Sequence, residues 1–114
     1  MLKTLVWLGS SRNDVLHFPR NARQRAGYEL YLVQSGLQPS DWKSMPSIGA
    51  GVQEIRVHTE LEHRIFYIAK FEEAIYVIHA FEKKSRRTAR YDLELTKSRL
   101  SELLQKRRQG RKKT

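Results

Sequence analysis

His63-Arg-Ile-Phe-Tyr-Ile-Ala-Lys-Phe-Glu-Glu-Ala-Ile-Tyr-Val-Ile-His-Ala-Phe-Glu-Lys-Lys84 decides the fold. Two runs rich in Ile, Val, Tyr and Phe flank the acidic turn Phe71-Glu-Glu73, which predicts a β-hairpin with strands near Arg64–Lys70 and Ala74–Phe81. Upstream, Val52–His58 has the same character and is separated by a turn near Thr59–Glu62. Short strands with short loops predict an antiparallel meander. Side chains alternate across a strand, so Arg56 falls with Val52, Glu54 and His58, and Arg64 with Phe66, Ile68 and Lys70. His79 falls with Ile75, Val77, Phe81 and Lys83. The simplest registration places all three sets on one side of the sheet.

The flanking segments change period. Lys3 to Leu8 fits an N-terminal strand, and a helix starts at Ser11, with Asp14 three residues on in a capping-box arrangement. Pro19 ends that helix near Phe18 and opens a second. Ala22, Ala26, Leu30, Val33 and Leu37 recur at helical spacing, and Gly36 supplies a stop. Residues 11–35 therefore read as a helical hairpin with its apolar stripe toward the sheet. Leu37–Gly51 reads as a loop pinned by Trp42, Met45 and Ile48. Arg90–Leu104 returns to helical spacing through Leu93, Leu100 and Leu104. The predicted fold is α+β, with a small antiparallel or mixed sheet of about four strands, an N-terminal helical hairpin and a C-terminal helix. Residues 1–106 form one domain and residues 107–114 a basic tail.

With 114 residues and 39% hydrophobic content, the chain supports one modest core. It has no cysteine, which excludes disulfides and thiolate metal sites. No apolar run approaches a membrane span, so a soluble, cytoplasmic protein without membrane attachment is expected. Charge is unevenly placed. Residues 1–82 carry nine Lys/Arg and nine Asp/Glu, whereas residues 83–114 carry thirteen Lys/Arg and three Asp/Glu. The whole excess of +10 lies in the last 32 residues, which points to an anionic partner.

The candidate chemistry gathers on the meander, at Arg56, Arg64, His79, Phe81, Lys83 and Lys84. Cleavage of RNA by its own 2′-hydroxyl needs a proton acceptor, cations for the pentavalent phosphate, and a proton donor for the leaving 5′-oxygen. Arginine suits the phosphate and histidine or lysine the proton steps, while Phe81 can stack on a splayed base. Blander roles compete: Arg64 can pair with Glu54 or Glu62, His79 can fill a half-buried position, and Phe81 can be core. There is no phosphate-cradling glycine loop or dinucleotide fingerprint, and the four histidines lack ligand spacing. No metal or other cofactor is expected.

The order of helix pair, loop, Glu54-Ile-Arg56, Arg64-Ile-Phe-Tyr67 and Ile78-His-Ala-Phe-Glu-Lys-Lys84, then a helix, resembles the RelE/ParE toxin superfamily. Within it, the phage-derived HigB-like branch is most similar, also through Ala26-Gly-Tyr-Glu-Leu30 and Asp41-Trp-Lys-Ser-Met-Pro46. The resemblance spans about Val6 to Leu104. It implies a type II toxin that cuts mRNA, usually in the ribosomal A site. It also implies a helix-turn-helix antitoxin, through which the complex meets operator DNA. Metal-free catalysis would rest on Arg64 as the phosphate cation, with His79, Lys83 and Lys84 for proton transfer and backbone contacts. Arg56, Phe81, Arg86, Arg87 and Tyr91 would contact RNA, and the identity of acid and base stays open. Two alternatives are a gyrase-poisoning toxin of the same fold and a non-catalytic nucleic-acid-binding module.

Overall fold

The computed structural model describes residues 1–112. In chain order the elements are β1 (Leu5–Trp7), α1 (Ser11–Leu16), α2 (Arg20–Gln34), β2 (Trp42–Ser44), β3 (Val52–His58), β4 (Glu62–Ile68), β5 (Ile75–Glu82) and α3 (Arg90–Lys112). They build an α+β fold on one mixed sheet of order β1-β5-β4-β3-β2. The meander β3-β4-β5 is antiparallel as predicted, and β1 closes the edge by running parallel to β5.

Local chemistry sets the element ends. Pro19 sits before the first residue of α2, where its missing N–H costs nothing. Gly36 stops α2 with φ +83°, and the Leu37 amide bonds back to the Leu32 carbonyl. Leu37, counted on the apolar stripe from its spacing, lies beyond this turn and is exposed.

The sheet is covered on both faces, and each face has its own core. Ala22, Ala26, Leu30 and Val33 of α2 pack with Val15 and Phe18 against Ile55, Val57, Ile65, Tyr67, Ile75, Val77 and Ala80. The small Ala22 and Ala26 let the helix approach closely. On the other face Leu100 and Leu103 of α3 cover Val52, Phe66, Ile68, Ile78 and Phe81, with Ile48 beneath. Each large side chain removed from water contributes about 1.5–3 kcal/mol.

Three expectations are corrected. There are five strands, because Trp42–Ser44 pairs with Gln53–Ile55 as an edge strand; Trp42 is part of it and exposed, while Met45 and Ile48 do pin the loop. The alternation in β5 breaks. Phe66 pairs with His79 but Tyr67 pairs with Val77, so Ile78 is an extra, bulged residue. His79 and Phe81 therefore lie on the α3 face, whereas Ile75 and Val77 lie on the α2 face. Finally, α3 does not stop at Leu104. The segment expected as a tail continues the helix through Lys112, and Lys113 and Thr114 lie outside the described residues.

Candidate active site

Register alone assembles the site. Arg56 is the cross-strand partner of Arg64, and Arg64 that of Phe81, so the three form one row across β3, β4 and β5. The adjacent row on the same face is Glu54, Phe66 and His79. On the other side, the Lys83 amide donates to the Glu62 carbonyl at 2.7 Å and carries the β4–β5 ladder one step past β5. Cross-strand neighbours stand about 4.5–5.5 Å apart, so these side chains belong to one patch.

The arginines are held by carboxylates. Glu54, itself buried, accepts from Arg56 Nε at 3.1 Å and lies 3.9 Å from Arg64 Nε. The second distance is an electrostatic contact without a hydrogen bond, and Arg64 Nε has no partner among the described residues. Arg64 Nη1 donates to Glu62 Oε1 at 2.9 Å and to the His63 carbonyl at 3.0 Å. The Arg64 side chain is only 7% exposed, that of Arg56 32%. An arriving phosphate would compete with Glu62 for a guanidinium already fixed in direction.

Glu62 is held in turn. His58 bonds it at 2.7 Å through Nδ1 and reaches Asp41 through Nε2. The hydrogen bond to Asp41 raises the His58 pKa above its ordinary value; partial burial opposes this and Glu62 adds to it. Partial desolvation would raise the Glu62 carboxyl, but hydrogen bonds from Arg64 and His58 outweigh it and hold the group low. These bonds pre-arrange the cluster.

His79 is fixed by three contacts. Its Nε2 lies 2.7 Å from Asp92 Oδ1 in the first turn of α3. A carboxylate can only accept, so Nε2 carries the proton. The ring stacks on Phe81 at 5.1 Å and 15°, and Phe81 packs on Phe66 at 5.4 Å. His79 and Phe81 are buried. Thus the structure brings together Arg56, Arg64, His79, Phe81 and Lys83. Lys84, Arg86 and Arg87 are exposed in the β5–α3 connection and stand outside the sheet rows. Tyr91, 72% exposed, sits beside Asp92.

Asp92 and His58 were not singled out as site residues from sequence. Asp92 lies 13 residues from His79 on a different element, a spacing without any local pattern. His58 was placed on the right face by alternation, but its bridging role depends on Asp41, in the loop before β2. The arrangement provides two fixed guanidinium groups, an oriented imidazole and an aromatic face, with Lys83 next along the chain beyond β5. These suit a phosphodiester next to an unstacked base.

Among the described residues, no helix is long and apolar enough to cross a membrane. None of the curated proteins compared matches the chain. Residues 13–101 match the family described as Phage derived protein Gp49-like (DUF891), a span that includes α2, the whole meander and the first half of α3. The chain belongs to this Gp49-like family, a toxin-like relative of the RelE/ParE-type superfamily.

Proposed function

We propose that the protein is the toxin of a type II toxin–antitoxin system and a metal-free endoribonuclease of the HigB-like kind. The observation that carries this reading is the row Arg56–Arg64–Phe81 beside the Asp92-bonded His79. In the reaction, the RNA 2′-hydroxyl attacks its own phosphodiester and expels the 5′-oxygen. Arg64, with Arg56 beside it, stabilises charge on the equatorial oxygens as the phosphate leaves the tetrahedral state. His79, Lys83 and Lys84 supply the proton transfers. Arg86, Arg87 and Tyr91 guide the strand, and Phe81 backs a splayed base. The substrate is mRNA presented in the ribosomal A site of the cytoplasm. The inhibitor is a helix-turn-helix antitoxin, which alone brings the complex to operator DNA. Family membership and the basic C-terminal third support this assignment.

Induced expression should arrest growth and fragment translated messages, with discrete ends in primer extension. Arg64→Ala combined with Lys84→Ala should abolish both effects. Arg64→Lys, which keeps charge but loses the planar fork, should cut activity while circular dichroism stays native. Toxicity that persists in the double variant would refute the site. Intact messages with trapped DNA breaks would instead identify a gyrase poison.

A further inference from the structure

A cleft of about 370 Å³ opens where β1 ends and leaves the second half of β5 without a strand neighbour on that side. Two imidazole–phenyl pairs flank it. His63 packs against Phe18 at 4.2 Å with the rings tilted by 41° on the α2 side, and His79 stacks on Phe81 on the α3 side. Asp14, Glu82 and Asp92 line it, and among its described lining residues there is no lysine or arginine. His63 and His79 are 1% and 4% exposed, and the Nδ1 of each is buried without a hydrogen-bond partner. Such groups are normally satisfied in folded proteins, so two in one cleft call for a ligand with matching polar atoms.

The chemistry of the lining selects that ligand. Three carboxylates repel a phosphate. Among the described residues no group of three or more His, Asp or Glu could hold a metal ion. Flat aromatic walls and acceptor oxygens suit a planar group with N–H donors. A nucleobase is the favoured occupant because of what lies next door. Arg64 is the cross-strand partner of Phe81, so a phosphate held by Arg64 stands one strand away from the cleft. Glu82, the cross-strand partner of His63, brings a carboxylate to the inner wall. Guanine offers a carboxylate two parallel donors, N1–H and the exocyclic amine. Adenine and cytosine offer an amine beside a ring acceptor, and uracil presents one N–H between two carbonyls. Tyr91 at the rim can stack on the exposed face of the base.

We propose that this cleft is the base-specificity pocket of the enzyme: it takes an unstacked guanine of the RNA, with Glu82 accepting from its Watson–Crick edge. The assignment rests on the nuclease reading of the neighbouring row, and two measurements separate the two claims. The purified full-length chain is titrated with GMP, AMP, CMP and UMP while the imidazole proton resonances of His63 and His79 are followed. GMP should shift both and bind at least about tenfold tighter than UMP, because the mismatched base leaves the carboxylate facing carbonyls. Glu82→Gln should remove this preference, and cut sites mapped after its induction should lose their guanine bias. Equal or absent binding of the four nucleotides would overturn the pocket, as would an unchanged preference in Glu82→Gln. Tighter binding of arginine amide than of GMP would also overturn it, by making the cleft a seat for a basic protein side chain. Selective GMP binding without RNA cleavage would leave the pocket standing and defeat the nuclease. Cleavage indifferent to base would do the reverse.

Discussion

Glu62 bonds two cations at once, Arg64 on its own strand and His58 across the turn, and His58 also bonds Asp41. This single carboxylate ties the loop before β2 to the candidate phosphate cation. Its titration gives a signed pH dependence. The folded-state pKa of His58 is raised above 6.5, so its contribution to stability is complete below that value and is lost as pH rises through the higher folded value. The folded-state pKa of Glu62 is depressed below 4.5, so its contribution is present above that value and is lost as pH falls through the lower folded one. Both act between about pH 4.5 and 6.5. His58→Gln should flatten the fall in melting temperature between pH 6 and 8; an unchanged slope would show that the bridge does not stabilise the fold. Alternation was enough to place Arg56 and His58 on one face of their strand, and the simplest registration added Arg64 to it. It could not show that His58 spans to Asp41, because that contact depends on how the loop lies.

The bulge in β5 positions the site at the level of whole elements. Without the extra residue Ile78, His79 would stay on the face of Ile75 and Val77, under α2 and away from Arg64. The freed Ile78 carbonyl is bound by Arg99 Nη1 of α3 at 3.0 Å, and Arg99 Nη2 also donates to Ser10 Oγ. Room for this reach comes from Gly9, at φ +53°, where an added Cβ would stand 2.5 Å from the guanidinium. Arg99→Met should destabilise the fold by about 1–3 kcal/mol, because a half-buried carbonyl loses its partner. Loss of the His79–Asp92 contact should accompany it, read from the His79 resonances. A native melting curve would show that water replaces the guanidinium. The strands themselves were legible because alternation and turns are local signals. The bulge was not, since one extra residue in an apolar run such as Ile75–Ala80 leaves no mark in composition. For the same reason β2, three exposed residues among Pro and Gly, read as loop.

Across the molecule, charge and fold are divided differently. The +10 excess follows α3 and the connection before it, not the sheet, whose cations are matched by Glu54 and Glu62. Arg107 ties α3 to the body: it lies 3.7 Å over the Phe71 ring and pairs with Glu73. Beyond it Arg108, Arg111, Lys112 and Lys113 add four cations. Deleting residues 108–114 should lower the slope of log affinity against log salt for single-stranded RNA by at most about 3, while cut sites stay where they are. A changed cleavage pattern would make this segment part of recognition. The helical extension of α3 could not be read from sequence, because a run of like charges carries no apolar stripe. The strand order has one more consequence, for synthesis. Leu5–Trp7 is made first, yet its hydrogen-bonding partner is Ile75–Val77, and α3 covers that sheet last. β1 therefore has no strand partner until Ile75–Val77 has emerged, and the Arg56–Arg64–Phe81 row is complete only once β5 has joined β4.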